Sequence, residues 1–284
     1  MNSTISPCPP GVDSGQYRIA FPIETLSQVP ADFVLPPDFA AFDAGVFLPR
    51  DDAGWLGRRG YPARVLLLSG REALVIAHPS AGDPPVRVIL DCVERAEWGR
   101  ILLVGWFDMT WNGGQIHLPY NTRSRGPIEK CLRTIEDRWL PESSTPRQSS
   151  PLAFGRALDL KFQNAGSAEL LAGETPLAQL FQPPDRRMRR WWFGRSQRRP
   201  GDLVWLTARR LLWITERHKG GYLRYGTVSH SARLSSVAAV RCICSGRQDV
   251  LEIVHRDGPS WSILLDADRV ADARKFGAVA SEKL

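Results

Sequence analysis

The sequence predicts a mainly β (α+β) chain: two diverged copies of one strand-rich module, each followed by a C-terminal amphipathic helix. Three observations predict it. The first is Leu203–Thr215, where two apolar runs flank the polar connection Thr207-Ala208-Arg209-Arg210. Val204 and Leu206 share one face of the first run, and Leu212 and Ile214 share one face of the second. That period-two pattern is the signature of a half-buried antiparallel hairpin. A helix would set Arg209 and Arg210 among apolar neighbours, so it ranks second. The second observation is an echo upstream. Leu68, Ser69, Arg71, Leu74 and Ile76 match Leu206, Thr207, Arg209, Leu212 and Ile214 at a single offset. Trp55-Leu56-Gly57-Arg58 matches Trp192-Phe193-Gly194-Arg195, and Leu90, Val93 and Ala96 match Leu234, Val237 and Val240. Offsets that drift by a few residues are what loop insertions between equivalent elements produce. The third observation is a helical stripe after each strand set.

Composition sets the bounds. The chain has 284 residues, 43% hydrophobic and 24% charged, which fits two ordinary globular domains and excludes a disordered chain. The net charge of +7 and pI near 9.5 favour anionic partners: nucleic acid, acidic lipid or acidic protein. The five cysteines (Cys8, Cys92, Cys131, Cys242, Cys244) contain no Cys-x-x-Cys pair. They read as small buried hydrophobes in a reducing compartment. Cys242 and Cys244, two apart in a strand-like run, face the same side. The expectation is a cytoplasmic protein with peripheral membrane contact as a further option, without a secretion signal or a transmembrane segment.

In chain order, residues 1–43 read as an N-terminal arm, kept extended by Pro30, Pro36 and Pro37. Residues 44–141 form the first domain. Arg64–Ala77 is its hairpin, Val86–Trp98 and Arg100–Thr110 are further strands, and Asn112-Gly113 turns into the return strand Gln115–Tyr120. Pro127 opens a helix whose Ile128, Cys131, Leu132, Ile135 and Trp139 make one apolar stripe. Glu129, Lys130, Arg133, Glu136 and Asp137 cover its other side. Residues 142–173 are a linker with a short helix from Ala168. Residues 174–284 repeat the plan. Val250–Val254 and Trp261–Leu265 are joined at Asp257-Gly258-Pro259, and a last helix starts near Asp266, carrying Val270, Ala273, Phe276 and Gly277 on one side.

This order, with the hairpin at Leu206–Thr215 and the segment Arg233-Leu234-Ser235-Ser236-Val237, resembles the bacterial pleckstrin-homology-like (PH-like) domains. The resemblance covers about 174–280 directly and about 44–140 through the internal repeat. It departs at Ser69-Gly70-Arg71-Glu72, after the arginine. It implies two tandem bent sheets or partly open barrels, each plugged by its helix, in a non-enzymatic binding or adaptor protein. It implies no cofactor and no catalytic residues. In lipid-binding members of the wider fold, basic residues near such a turn contact phosphoinositide headgroups, which points to Arg209 and Arg210.

The sharpest local feature is Arg186–Arg199. Arg186, Arg187, Arg189, Arg190, Arg195, Arg198 and Arg199 stand with Trp191, Trp192 and Phe193, with no acid among them. Guanidinium groups pair bidentately with phosphates. Tryptophans sit at headgroup boundaries or stack on bases. The expected partner is a protein or an acidic lipid surface, with nucleic acid as the alternative. A purely structural two-domain protein, with these arginines on a solvated face, is the bland reading. The tetrapeptide repeat at Trp55–Arg58 favours a packing role for Trp192 and Phe193. His78, His117, His218, His230 and His255 have no zinc spacing. No nucleophile elbow or phosphate-cradling loop occurs either.

Overall fold

The computed structural model describes residues 14–39, 41–50, 60–101, 104–140, 152–155, 158–184, 200–218, 221–222, 226–244 and 248–284. The chain divides into two compact units. Unit 1 is Met1–Val93, Leu103–Trp106 and His117–Pro141; unit 2 is Glu94–Leu102, Phe107–Ile116 and Glu142–Leu284.

Unit 1 carries a five-stranded antiparallel sheet in sequence order: β1 (Phe21–Ile23), β2 (Ala44–Leu48), β3 (Arg64–Ser69), β4 (Glu72–Ala77) and β5 (Val86–Ile89). The expected hairpin is β3–β4, turned at Gly70 with a left-handed φ of 53°. The arm is part of the sheet. β1 pairs with β2, and Phe21, Phe33 and Phe39 share one core with Phe47, Val65 and Leu74. Beyond β1 the arm turns instead of running extended, because the Pro30 and Pro36 carbonyls accept from the N–H groups of Phe33 and Phe39; its aromatics supply apolar area that a four-stranded sheet would leave wet. The chain then turns a corner at a 3-10 turn, Leu90–Cys92, with Leu90 fully buried. One strand over Val86–Trp98 was the expectation; the buried leucine at this corner breaks it into β5 and β6 (Val93–Ile101). β7 (Val104–Trp111) and β8 (Gly114–Asn121) follow, joined at Asn112-Gly113, where Gly113 has φ 112°. Helix α1 (Arg125–Trp139) closes the segment and packs along β1 and β2. All five residues of its expected stripe are buried. Glu136, expected on the wet face, is buried too and accepts from Arg133 at 3.2 Å.

Unit 2 contains β9 (Leu152–Gly155), α2 (Leu160–Glu169), β10 (Ala178–Gln182), β11 (Asp202–Leu206), β12 (Arg210–Thr215), β13 (Arg217–His218), β14 (Gly221–Tyr222) and β15 (Gly226–Arg233). A 3-10 turn at Leu234–Ser236 leads to β16 (Val237–Cys244), β17 (Asp249–His255), β18 (Trp261–Leu265) and α3 (Val270–Ser281). The large sheet runs β8-β7-β6-β15-β12-β11-β10-β9; β16-β17-β18 form a second sheet, and β13-β14 a two-stranded ribbon. Sheet pairing is antiparallel from β10 through β6, whereas β9 joins β10 in parallel. Among the described residues the order of every sheet is open and none closes into a barrel.

Apart from the β13–β14 ribbon, which interrupts the second, both halves show a similar succession of elements. Four strands (β2–β5; β10, β11, β12 and β15) lead to a 3-10 corner on Leu90 or Leu234, then three strands (β6–β8; β16–β18) and a helix (α1; α3). The matched Leu90/Val93 and Leu234/Val237 pairs fall on that corner.

The hairpin β11–β12 is buried on both faces, not one. Val204, Leu206, Leu211 and Trp213 join a core with β16–β18 and α3, including Leu251, Ile263 and Phe276. Leu203, Trp205, Leu212 and Ile214 pack on the other side against Phe162 of α2 and Phe181. A strand covered twice reads as a continuous apolar run. Helix α2 begins eight residues before the expected helix at Ala168. Asp159 caps it, its carboxylate accepting from Phe162 N at 3.0 Å. Gly166 lets Trp205 lie directly on the helix, since a Cβ there would meet the indole at 2.3 Å. Asp266 stands at the expected turn before α3, but its carboxylate accepts from Gln182 Nε2 at 2.6 Å and caps nothing. No helix among the described residues is long and apolar enough to cross a membrane.

Candidate functional site

The β11–β12 turn holds Arg209 and Arg210, both expected to meet an external anion. Arg210 is fully buried. Its Nε donates to Glu174 Oε1 at 3.1 Å and its Nη2 to Glu174 Oε2 at 2.7 Å. Nη2 also donates to the Glu169 carbonyl at 2.7 Å, and Nη1 to Ser231 Oγ at 3.2 Å. Glu174 further accepts from Thr207 Oγ1 at 2.8 Å and Leu171 N at 3.1 Å. Burial pushes the Glu174 carboxyl up. The charge and hydrogen bonds of Arg210, with those of Leu171 and Thr207, outweigh it and hold the group below the ordinary range. An arginine engaged in this way is not offered to a headgroup: Arg210 has a structural role. Arg209 is nearly buried, and its backbone N–H donates to Thr207 Oγ1 at 3.2 Å. At the offset of the sequence match, Arg209 corresponds to Arg71 and Arg210 to Glu72. Arg71 lies exposed against Asp91, so the buried pair of Arg210 and Glu174 has no counterpart at the β3–β4 turn.

Arg186, Arg187, Arg189, Arg190, Trp191, Arg195, Arg198 and Arg199 lie outside the described residues, as do Trp55–Arg58. Residues 186–199 occupy the chain between β10 and β11, whose ends pair as Gln182 with Asp202. Gln182 is buried and bonded to Asp266 through both its amide atoms. Gly201 N donates to Glu216 Oε2 at 3.0 Å, and Lys161 Nζ donates to Glu216 Oε1 at 2.5 Å. No family model, curated protein or solved structure matches this chain.

Unit 1 holds a cleft of about 560 Å³, lined by Ser14, Arg50, Tyr61, His78, Ser80 and Asp83 among others. At its wall His78 Nε2 meets Asp32 Oδ2 at 2.9 Å and His78 Nδ1 meets Ser80 Oγ at 2.7 Å. Ser80 N donates to Nδ1 at 3.2 Å, so Nδ1 is the acceptor and Nε2–H faces the carboxylate. Ser14 donates to Asp32 through its backbone (3.1 Å) and its hydroxyl (2.5 Å). Burial pushes Asp32 up; the Ser14 hydroxyl, backbone donors and the charge of His78 more than reverse this and hold it below the usual carboxylate range. The chain Asp32–His78–Ser80 has the polarity of a nucleophile relay. Acyl transfer also needs donors aimed at an oxyanion. Here the Ala81 and Gly82 N–H groups donate to the His78 and Pro79 carbonyls inside their own turn. The constellation fastens the arm to the turn after β4. Sequence reading missed it because Asp32 and His78 stand 46 positions apart with no motif between them.

In unit 2, Trp213 stacks on His230 at 4.5 Å, and His255 meets Trp261 edge-on at 4.6 Å. His255 is buried and neither ring nitrogen has a hydrogen-bond partner. Burial, helped by the charge of Arg95, lowers it from 6.5 to about 4. The neutral ring serves as packing. The unfolded chain binds a proton near pH 6.5 that the folded chain refuses until about pH 4, so stability from this group is complete above 6.5 and falls as the pH drops. The expected loss is about 3 kcal/mol between those values. Urea unfolding at pH 7 and pH 4.5 checks it: His255→Phe is expected to flatten the difference. No cluster of three or more metal-ligating side chains occurs among the described residues.

Proposed function

We propose that this protein is a non-enzymatic binding protein of two tandem PH-like domains that docks on an anionic membrane surface through Arg186–Arg199. One observation carries the reading. Removing these seven arginines from the 37 Lys and Arg leaves 30, equal to the 30 Asp and Glu. The whole positive excess of the chain is therefore confined to fourteen consecutive residues. A neutral body bearing one arginine-dense segment concentrates its field at one place, which suits a surface of phosphate groups. The three aromatics inside the segment suit the headgroup boundary. The recurring succession of four strands, corner, three strands and helix supports the PH-like reading of both halves. The peripheral location follows from the same segment.

Co-sedimentation with vesicles of anionic or neutral lipid, at low and high salt, tests the proposal. Wild type is expected to pellet with anionic vesicles only, less at high salt. The variant with Arg186, Arg187, Arg189 and Arg190 changed to Ser is expected to stay in solution with an unchanged circular dichroism spectrum. Failure of the folded wild type to pellet would refute it. Tight, salt-sensitive binding to single-stranded DNA with no vesicle binding would refute it in favour of nucleic acid.

A further inference from the structure

Cys242 and Cys244 lie at the end of β16, which is an edge strand with only β17 beside it. Buried packing was the sequence expectation for the cysteines. Instead Cys244 is exposed and Cys242 half-buried. Two positions apart on one strand, both side chains point to one face. Arg274, on the helix that packs against β16, donates from Nη2 to Cys244 Sγ at 3.2 Å. The outer sulfur thus has access to solvent, a guanidinium against it, and a second thiol on the same face of the strand. Reactive cysteines are found in such partly exposed, electropositive surroundings.

We propose that Cys242 and Cys244 form a reactive dithiol that exchanges with small disulfides of the glutathione class. The Cys244 thiolate attacks one sulfur of the small disulfide; the S–S bond breaks, a mixed disulfide forms and one small thiolate leaves. The Cys242 thiol gives its proton to water and its sulfur attacks Cys244 Sγ. The Cys242–Cys244 bond forms and the second small thiolate departs. The two protein thiols are oxidised and the small disulfide is reduced to two thiols. Residues two apart in an extended strand have Cα atoms about 6.4–6.8 Å apart, at the upper limit for a disulfide. Closure therefore bends the strand end, which an edge strand permits, and leaves a bond that is readily reduced.

The molecule supplies its own references. Cys92 is exposed but belongs to a different element, and Cys131 is buried, its thiol pushed up to about 12 by burial. Full-length protein is incubated with oxidised glutathione, quenched with iodoacetamide and mapped by peptide mass. Wild type is expected to yield the Cys242–Cys244 disulfide. Cys242→Ser is expected to trap glutathione on Cys244 several-fold faster than on Cys92, and Arg274→Gln is expected to remove that advantage. A Cys244 that reacts no faster than Cys92, or a wild type that keeps glutathione without closing the disulfide, would overturn the proposal.

Discussion

Replacing Arg210 by Met is expected to destabilise unit 2 by about 3–5 kcal/mol. The methionine fills much of the arginine's volume, so the loss is not chiefly a cavity. It comes from Glu174, which stays buried and ionised, with only Thr207 Oγ1 and Leu171 N to satisfy it. The Glu169 carbonyl and Ser231 Oγ lose a donor as well. Chemical denaturation followed by Trp fluorescence measures the effect. The double variant Arg210→Met/Glu174→Leu is expected to recover most of it, because removing both charges also removes their desolvation. Additive losses in the double variant would show that the pair is not the source. The same substitution is expected to leave vesicle binding intact at temperatures where the protein remains folded, since Arg210 faces the interior.

Trp139→Ala is expected to cost unit 1 about 3–5 kcal/mol. Trp139 is fully buried at the end of α1, and its Nε1 donates to the Val93 carbonyl at 2.5 Å. Truncation opens a void too large for α1 to fill by settling and leaves that carbonyl without its donor. The helix end is also pinned by Arg138, which donates from Nη1 to Asp43 Oδ2 and to the Gly70 carbonyl, both at 3.0 Å. Trp139→Phe keeps most of the volume and is expected to cost less than half as much. A shift in the urea midpoint with an unchanged slope would mark lost stability; an unchanged midpoint would mean that α1 is not integral to the core.

Much of this fold was legible because periodicity reports faces. The hairpins β3–β4 and β11–β12 and the stripes of α1 and α3 follow from the spacing of apolar residues. The corner at Leu90 does not: the spacing over Val86–Trp98 reads as one strand, and the fully buried Leu90 breaks it. What the spacing could not report was coverage by distant segments. The double burial of β12 depends on α2 and α3, which lie far from it along the chain. Helix α2 itself was hidden because its packing face is made by Phe162 and Gly166, and a glycine carries no apolar signal. The same limit governs the functional residues. Composition alone marks Arg186–Arg199, but it cannot separate an arginine on a surface from one in the interior. Arg210 owes its placement to Glu174, 36 positions away, and His78 owes its own to Asp32.

The most direct test of the account is the equilibrium affinity of the full chain for vesicles of fixed anionic content, measured across a salt series with arginines of 186–199 removed one, two and four at a time. Each arginine near such a surface contributes about 1 kcal/mol. Docking through this segment predicts a stepwise fall of that size per residue and a weaker salt dependence at each step. Equal affinity for wild type and the four-arginine variant would contradict it.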